Sequence, residues 1–136
     1  MDELKASTEI AVAGMKAQTH RLRVVAENLA NADSLPRTPD GQPYRRKVVS
    51  FRNELDRELG IQTVHIDATR PDMSELPKKF DPKHPAADRD GYVSAPNVNP
   101  LIEMMDLREA QRSYDANLNV VNTSKAMLTR TIEMLR

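Results

Sequence analysis

The 136 residues contain no cysteine and no tryptophan, only four glycines, and five residues of phenylalanine and tyrosine together. Without cysteine there is no disulfide frame, no thiolate nucleophile and no cysteine-based zinc site, although the compartment stays open. Four scattered glycines form no loop that could cradle a phosphate. An aromatic content of 4% leaves few large side chains for a spherical core, which points to an elongated shape or to burial against partners. Charge of one sign is missing too. Lys and Arg number 20 against 20 Asp and Glu, so there is no basic excess with which to displace counterions from nucleic acid. No apolar run approaches the roughly 20 residues that cross a bilayer, so no direct membrane span is expected. Met1-Asp2-Glu3-Leu4-Lys5 lacks a basic stretch followed by an apolar core. No cleaved secretory signal is expected from it, and any export must use another route.

The chemistry-bearing residues are dispersed. His20, His65 and His84 lie in three separate segments with no i, i+4 pairing, a poor arrangement for a metal site. Asp88, Asp90 and Gly91 have an acidic spacing faintly like a calcium loop, but no glutamate closes it and prolines crowd it. None of the serines has a nucleophile-elbow context. Glu54 and Glu58 sit among arginines, as on a solvated face. The expectation is a non-enzyme with no catalytic residues, no metal and no cofactor.

Proline divides the chain. All nine prolines lie between Pro36 and Pro100. Proline removes an amide donor and clashes with the preceding helical turn, so the flanks can be long helices and the centre cannot. Residues 4–31 are rich in good or neutral helix formers, with Asp2 placed as N-cap and Asn31-Ala32-Asp33-Ser34 as a stop. Asn99-Pro100 reads as N-cap and first helical residue, and the pattern then runs to Leu135 unbroken. At 1.5 Å per residue these helices are about 40 and about 50 Å long.

Apolar residues recur on both flanks with a seven-residue period. In the second helix one series is Leu107, Tyr114, Val121, Leu128 and Leu135, and another is Met104, Gln111, Leu118, Lys125 and Ile132. In the first, Thr8, Met15, Leu22 and Leu29 accompany Leu4, Ala11, Gln18 and Val25. Two stripes describe a coiled-coil seam, although an ordinary amphipathic helix on a core would show similar periodicity. Length and low aromatic content favour the seam. The expected fold is therefore mainly α. Two long terminal helices pack as an antiparallel coiled coil around a proline-rich central insertion with short β-strands. Its divisions are residues 1–34, 35–98 and 99–136.

Within the centre, residues 44–51 and 62–66 carry the β-branched and aromatic residues of short strands. Phe51, Leu55 and Leu59 also fit a helical turn ending at Gly60. Residues 70–96 are expected to be a loop-rich excursion.

Asparagine is concentrated in Asn28-Leu29-Ala30-Asn31-Ala32 and again in Tyr114-Asp115-Ala116-Asn117. Asparagine is a mediocre helix former. Asn31 reads most simply as a terminator and Asn28 as exposed, while the functional alternative is that buried amides fix register between packed helices.

These residues carry a resemblance. The stretch from Ala26 to Asp33 is similar to the Asn-rich signature near the N-terminus of bacterial flagellar axial proteins, the rod and hook family. Asp81-Pro82-Lys83-His84-Pro85-Ala86-Ala87-Asp88, Gly91-Tyr92-Val93 and Pro96-Asn97-Val98-Asn99 resemble the proximal-rod branch more specifically. Glu103-Met104-Met105-Asp106, Arg112-Ser113-Tyr114-Asp115-Ala116-Asn117 and Asn122-Thr123-Ser124-Lys125 extend the likeness along the second helix. The resemblance implies a structural subunit of the periplasmic rod of the flagellar basal body, polymerised into a helical tube that transmits torque and surrounds an export channel. It implies type III export and, as partners, other proximal- and distal-rod subunits, the protein joining membrane ring to rod, the export apparatus and further copies of the chain. Rival readings are a cytoplasmic coiled-coil adaptor and a peptidoglycan-acting enzyme. The latter needs a carboxylate pair about a cleft, and none can be nominated. The expected packing and polymer interface is Met15, Leu22, Val25, Asn28, Leu29, Asn31, Leu107, Tyr114, Asn117, Leu118, Val121, Leu128, Ile132 and Leu135.

Overall fold

A computed structural model describes all 136 residues. Helix α1 spans Asp2–Ala30, followed by strands β1 (Lys47–Asp56), β2 (Ile61–Pro71), β3 (Lys78–Phe80) and β4 (Tyr92–Ser94), then helix α2 (Pro100–Met134). β1 and β2 form one two-stranded sheet, β3 and β4 another.

The expected fold class is corrected. Helix covers 47% of the chain and strand 20%, in two small sheets, so the protein is not mainly α and its centre is not a proline-rich insertion with short strands. The reason lies in how the prolines are spaced. None falls between Pro43 and Pro71. In that window every residue but the last can donate to a ladder, and strands of 10 and 11 residues form. The competing helical turn at Phe51, Leu55 and Leu59 loses to strand through Asp56. The turn that follows shows why the strands end there. Asp56 Oδ1 accepts from the amides of Glu58 (2.9 Å) and Leu59 (3.2 Å), Gly60 N donates to Asp56 O (2.8 Å), and Gly60 takes φ 65°, a left-handed value that favours glycine.

The heptad stripes are also corrected on α2. Leu107, Tyr114, Val121 and Leu128 are half-buried, but the series that joins them is Glu103, Ala110, Asn117, Ser124 and Thr131. It sits one residue before the apolar series of Met104, Leu118 and Ile132, all exposed. Small and polar side chains let backbones approach closely, and the partner surface chose them over larger apolar ones.

The chain divides into two compact units. The first comprises Met1–Leu22, Val49–Ala68 and Arg108–Arg136. In it the helices run side by side in opposite directions, with Arg21 facing Glu109 (3.5 Å) and Gly14 facing Asn117. Its buried apolar residues are all small: Ala11, Ala17 and Ala110.

The second unit comprises Arg23–Val48 and Thr69–Leu107. Val24, Val25, Ala86 and Val93 are its buried apolar residues. β3 and β4 are antiparallel, pairing Lys78 with Ser94, Lys79 with Val93 and Phe80 with Tyr92. The Phe80 and Tyr92 rings meet edge-on at 5.2 Å. Gly91, at φ 86°, lies against Phe80 and Pro82 so closely that a Cβ would sit 3.1 Å from each. The loop between these strands is ordered by its own side chains: His84 Nδ1 accepts from Ala86 N (3.0 Å), and Asp88 Oδ1 accepts from Asp90 N and Tyr92 N (2.9 Å each). The start of α2 is capped as its sequence indicates, Asn99 Oδ1 accepting from Leu101 N at 3.1 Å.

Candidate assembly surfaces and the cluster around Arg46

Two kinds of surface stand out, one in each unit. In the first, the helix pair leaves shallow grooves along its length. Met15 and Tyr114 line one of about 310 Å³ with Val12, Lys16 and Thr19. A larger one, about 550 Å³, is lined by Met1, Leu4, Thr8, Val121, Ser124 and Leu128 together with the charged Asp2, Lys5, Glu9 and Lys125. Neither gathers a set of convergent catalytic groups. Asn117 meets Gly14, and Leu22 is half-buried. Leu118, Ile132 and Leu135 are exposed, Leu135 by 82%. Ile10, Val120, Met127 and Met134 are exposed as well. Apolar side chains left in water along a helix are what an association surface requires.

In the second unit the expected residues Val25 and Asn28 are buried, and Leu29, Asn31 and Leu107 are half-buried. Asn31 Nδ2 donates to Glu27 O (2.9 Å) and its Oδ1 accepts from Ser34 Oγ (3.0 Å), which closes the first helix. Asn28 is the centre of a network rather than an exposed amide. Only 1% of it is accessible. Its Nδ2 donates to Lys47 O (2.9 Å) and Glu103 Oε2 (3.3 Å), and its Oδ1 accepts from Tyr44 OH (2.7 Å) and Lys47 N (2.9 Å). One amide thereby ties α1, the segment entering β1, and α2.

Arg46 is the second hub. Its guanidinium pairs with Glu103, which is 0% exposed, and reaches Asp72 Oδ2 and Asp106 Oδ2 at 3.5 Å each. Its backbone N donates to Asn97 Oδ1 (2.7 Å) and its carbonyl accepts from Asp72 N (2.7 Å). Asn97 Nδ2 in turn donates to Asp72 O (3.0 Å) and Ser74 Oγ (2.9 Å), and Arg45 donates to the carbonyls of Asp72 (3.0 Å) and Ser74 (2.8 Å). A buried carboxylate is tolerable only when paired and hydrogen-bonded, and Glu103 is both.

The titrations follow from this geometry. Burial opposes the Arg46 charge, but the hydrogen bond and charge of Glu103, then Asp106 and Asp72, outweigh it and hold the guanidinium above its ordinary value. Burial, with the nearby charges of Glu27 and Glu103, pushes the Tyr44 phenol up to about 12. Hydrogen bonds from Ser74, then Arg46, hold the Asp72 carboxyl below its usual range.

Comparison with known proteins decides what these surfaces belong to. The protein named flagellar basal-body rod protein FlgC from Agrobacterium fabrum is 47% identical over 136 residues, 100% of this chain and 98% of the relative. The chain belongs to the FlgC family. Proteins of the same name from Salmonella typhimurium and Borreliella burgdorferi are 43% and 38% identical, covering 93% of each chain in the first case and 98% in the second. A broader family model, flagellar basal body rod FlgEFG protein C-terminal, matches residues 89–134. That span holds β4, Asn97 and the whole of α2, with Glu103 and Asn117. The chain is thus a structural component of the flagellar basal-body rod. In this FlgC-family chain, Arg46, Glu103 and Tyr44 were absent from the packing residues expected from sequence. The available signal was Glu103 itself, an acid set between Leu101-Ile102 and Met104-Met105 one turn into a capped helix.

Proposed function

We propose that the chain is a proximal-rod subunit that polymerises through its two helices into a tube transmitting torque and surrounding the export channel. Its neighbours are further copies, other proximal- and distal-rod subunits and the protein joining the membrane ring to the rod. It reaches the periplasm through the flagellar export apparatus without signal cleavage. The observation that carries this reading is the 47% identity that runs the whole length of the chain rather than one segment. The exposed apolar residues of α2 support it, since burying them against neighbours contributes about 25 cal/mol per Å². Methionines 104, 105, 127 and 134 suit neighbours in non-identical positions, because an unbranched thioether fills irregular gaps. The helix-packing and polymer interface comprises Met15, Leu22, Val25, Asn28, Leu29 and Asn31 on α1, of which Val25 and Asn28 pack within the chain. On α2 it comprises Leu107, Tyr114, Asn117, Leu118, Val121, Leu128, Ile132 and, just beyond the helix, Leu135. The flanks 1–34 and 99–136 form the rod core, and 35–98 sets geometry. The role is structural and non-catalytic.

The test is a chain shortened to remove Ile132 and Leu135, expressed in cells lacking the full-length protein. It is expected to be exported and soluble but missing from purified basal bodies. Normal incorporation of the shortened chain would overturn the helical-end interface and move it to residues 81–99.

A further inference from the structure

We infer that the cluster around Arg46 is an acid-releasable clasp: protonating the carboxylates that face this guanidinium frees residues 72–76 and 95–99 while the helix pair of the first unit stays packed.

The argument begins with what holds those segments. Between β2 and β3, Met73, Ser74 and Glu75 are exposed, so apolar burial contributes little to their position. Their attachments are polar and converge on two adjacent arginines. Asp72 N donates to Arg46 O, Asp72 Oδ2 meets the Arg46 guanidinium, and the carbonyls of Asp72 and Ser74 accept from Arg45. Residues 95–99 are tied to the same point, Asn97 Oδ1 accepting from Arg46 N and Asn97 Nδ2 donating to Asp72 and Ser74. Ala95 N donates to Pro77 O (2.8 Å), closing the ring of contacts.

The anchor of the ring is charge. Facing Arg46 are Glu103 and Asp106 from α2 and Asp72 from the segment after β2. Beside them stand Glu27 of α1, paired with Lys47 at 2.6 Å, and the Tyr44 phenol. Three carboxylates on one half-buried guanidinium make the position of Arg46 depend on their ionisation. Asp72, held below its ordinary range, contributes stability that is present above the usual carboxylate value and lost as pH falls through its own. Once the carboxylates are neutral, Arg46 keeps its charge with no anion to offset its desolvation. Its backbone then leaves, carrying the hydrogen bonds that hold Asn97 and Asp72.

The first unit has no buried carboxylate: the acid of its Arg21–Glu109 pair is 68% exposed, and the His65 ring that meets Thr63 at 2.9 Å is exposed as well. Its buried polar side chains are Thr63 and Ser124, neither of which titrates in this range. Acid therefore acts on one unit and spares the other.

Hydrogen exchange read by mass spectrometry on the full-length chain, corrected for intrinsic rates from pH 7 to pH 2, tests this. Residues 72–76 and 95–99 are expected to exchange at least tenfold faster at pH 2, below the lowered range of Asp72, with residues 108–128 unchanged. Glu103→Gln, which keeps the shape and removes the charge, should show the fast pattern already at pH 7. If Glu103→Gln fails to fold, Asp72→Asn supplies the same reading from the outer arm, with a smaller acceleration confined to residues 72–76. Simultaneous opening of both units, continued protection of residues 72–76 at pH 2, or wild-type exchange in the folded variant would each overturn the clasp.

Discussion

The two units hold the same pair of helices by different means. In the first, Ala11, Ala17 and Ala110 are buried and Gly14 lies against Asn117, so attraction comes from close backbone approach. In the second, the fully buried side chains of greatest size include Glu103 and Asn28, and attraction comes from hydrogen bonds and ion pairs. Close packing of small residues tolerates loss of a contact gradually, because each atom pair is worth little. A buried polar network fails abruptly, because every orphaned partner costs its full desolvation.

The largest effect that could break this contrast is expected at Glu103. Glu103→Ala strands Arg46 and one Asn28 donor in a buried site, and should cost about 3–5 kcal/mol in urea unfolding. A loss under 1 kcal/mol would mean the network is ornamental. Gly14→Val probes the other unit. Even a Cβ at this position would lie 2.7 Å from Asn117 Nδ2, and the expected cost is about 1–3 kcal/mol. Pairing it with Asn117→Ala should recover part of the loss, as coupled neighbours do in a double-mutant cycle. Additive losses would show that the helices do not approach there.

Gly60→Ala isolates a purely conformational term, since nothing lies within 4 Å of its added methyl while φ stays at +65°. Thermal unfolding should register about 1–2 kcal/mol, and Gly60→Asn less. The smallest effect at neutral pH belongs to Tyr44→Phe, about 1 kcal/mol for its hydrogen bond to Asn28. Its pH dependence is more informative. The folded state keeps the phenol neutral up to about 12 against an ordinary 10.0, so its contribution is full below pH 10 and lost between 10 and 12. The advantage of wild type over Tyr44→Phe should shrink through that window in denaturant titrations. A constant difference would mean the phenol is not buried beside Glu27 and Glu103.

Some of this is legible in the sequence. The Asn99-Pro100 cap, the breaker-free run after it and the Asn31 to Ser34 stop are local signals, and each marks a helix end in the structure. The FlgC-type segments around Asp81, Pro96 and Glu103 pointed to the rod family that the relatives establish. The β1–β2 hairpin is longer than the proline content of the centre implies, because what matters to a ladder is the gap between Pro43 and Pro71. On α2 the Met104-Leu118-Ile132 stripe lies one residue off the buried face, because apolar periodicity assumes that large apolar side chains face the partner. Around Gly14 the helices come too close for that, and Asn117 rather than Leu118 occupies the contact.

Sequence by itself determined where α1 stops and where α2 starts, and the absence of cysteine, of net charge and of a bilayer-length apolar run. These are properties of neighbouring residues or of composition, and no distant contact is needed to set them. Only the tertiary structure decided which face of α2 is buried and that an acid, Glu103, belongs inside. A carboxylate can be buried only if a cation and a donor arrive from elsewhere in the chain. Arg46 and Asn28 stand 57 and 75 positions away, a pairing that no local pattern encodes.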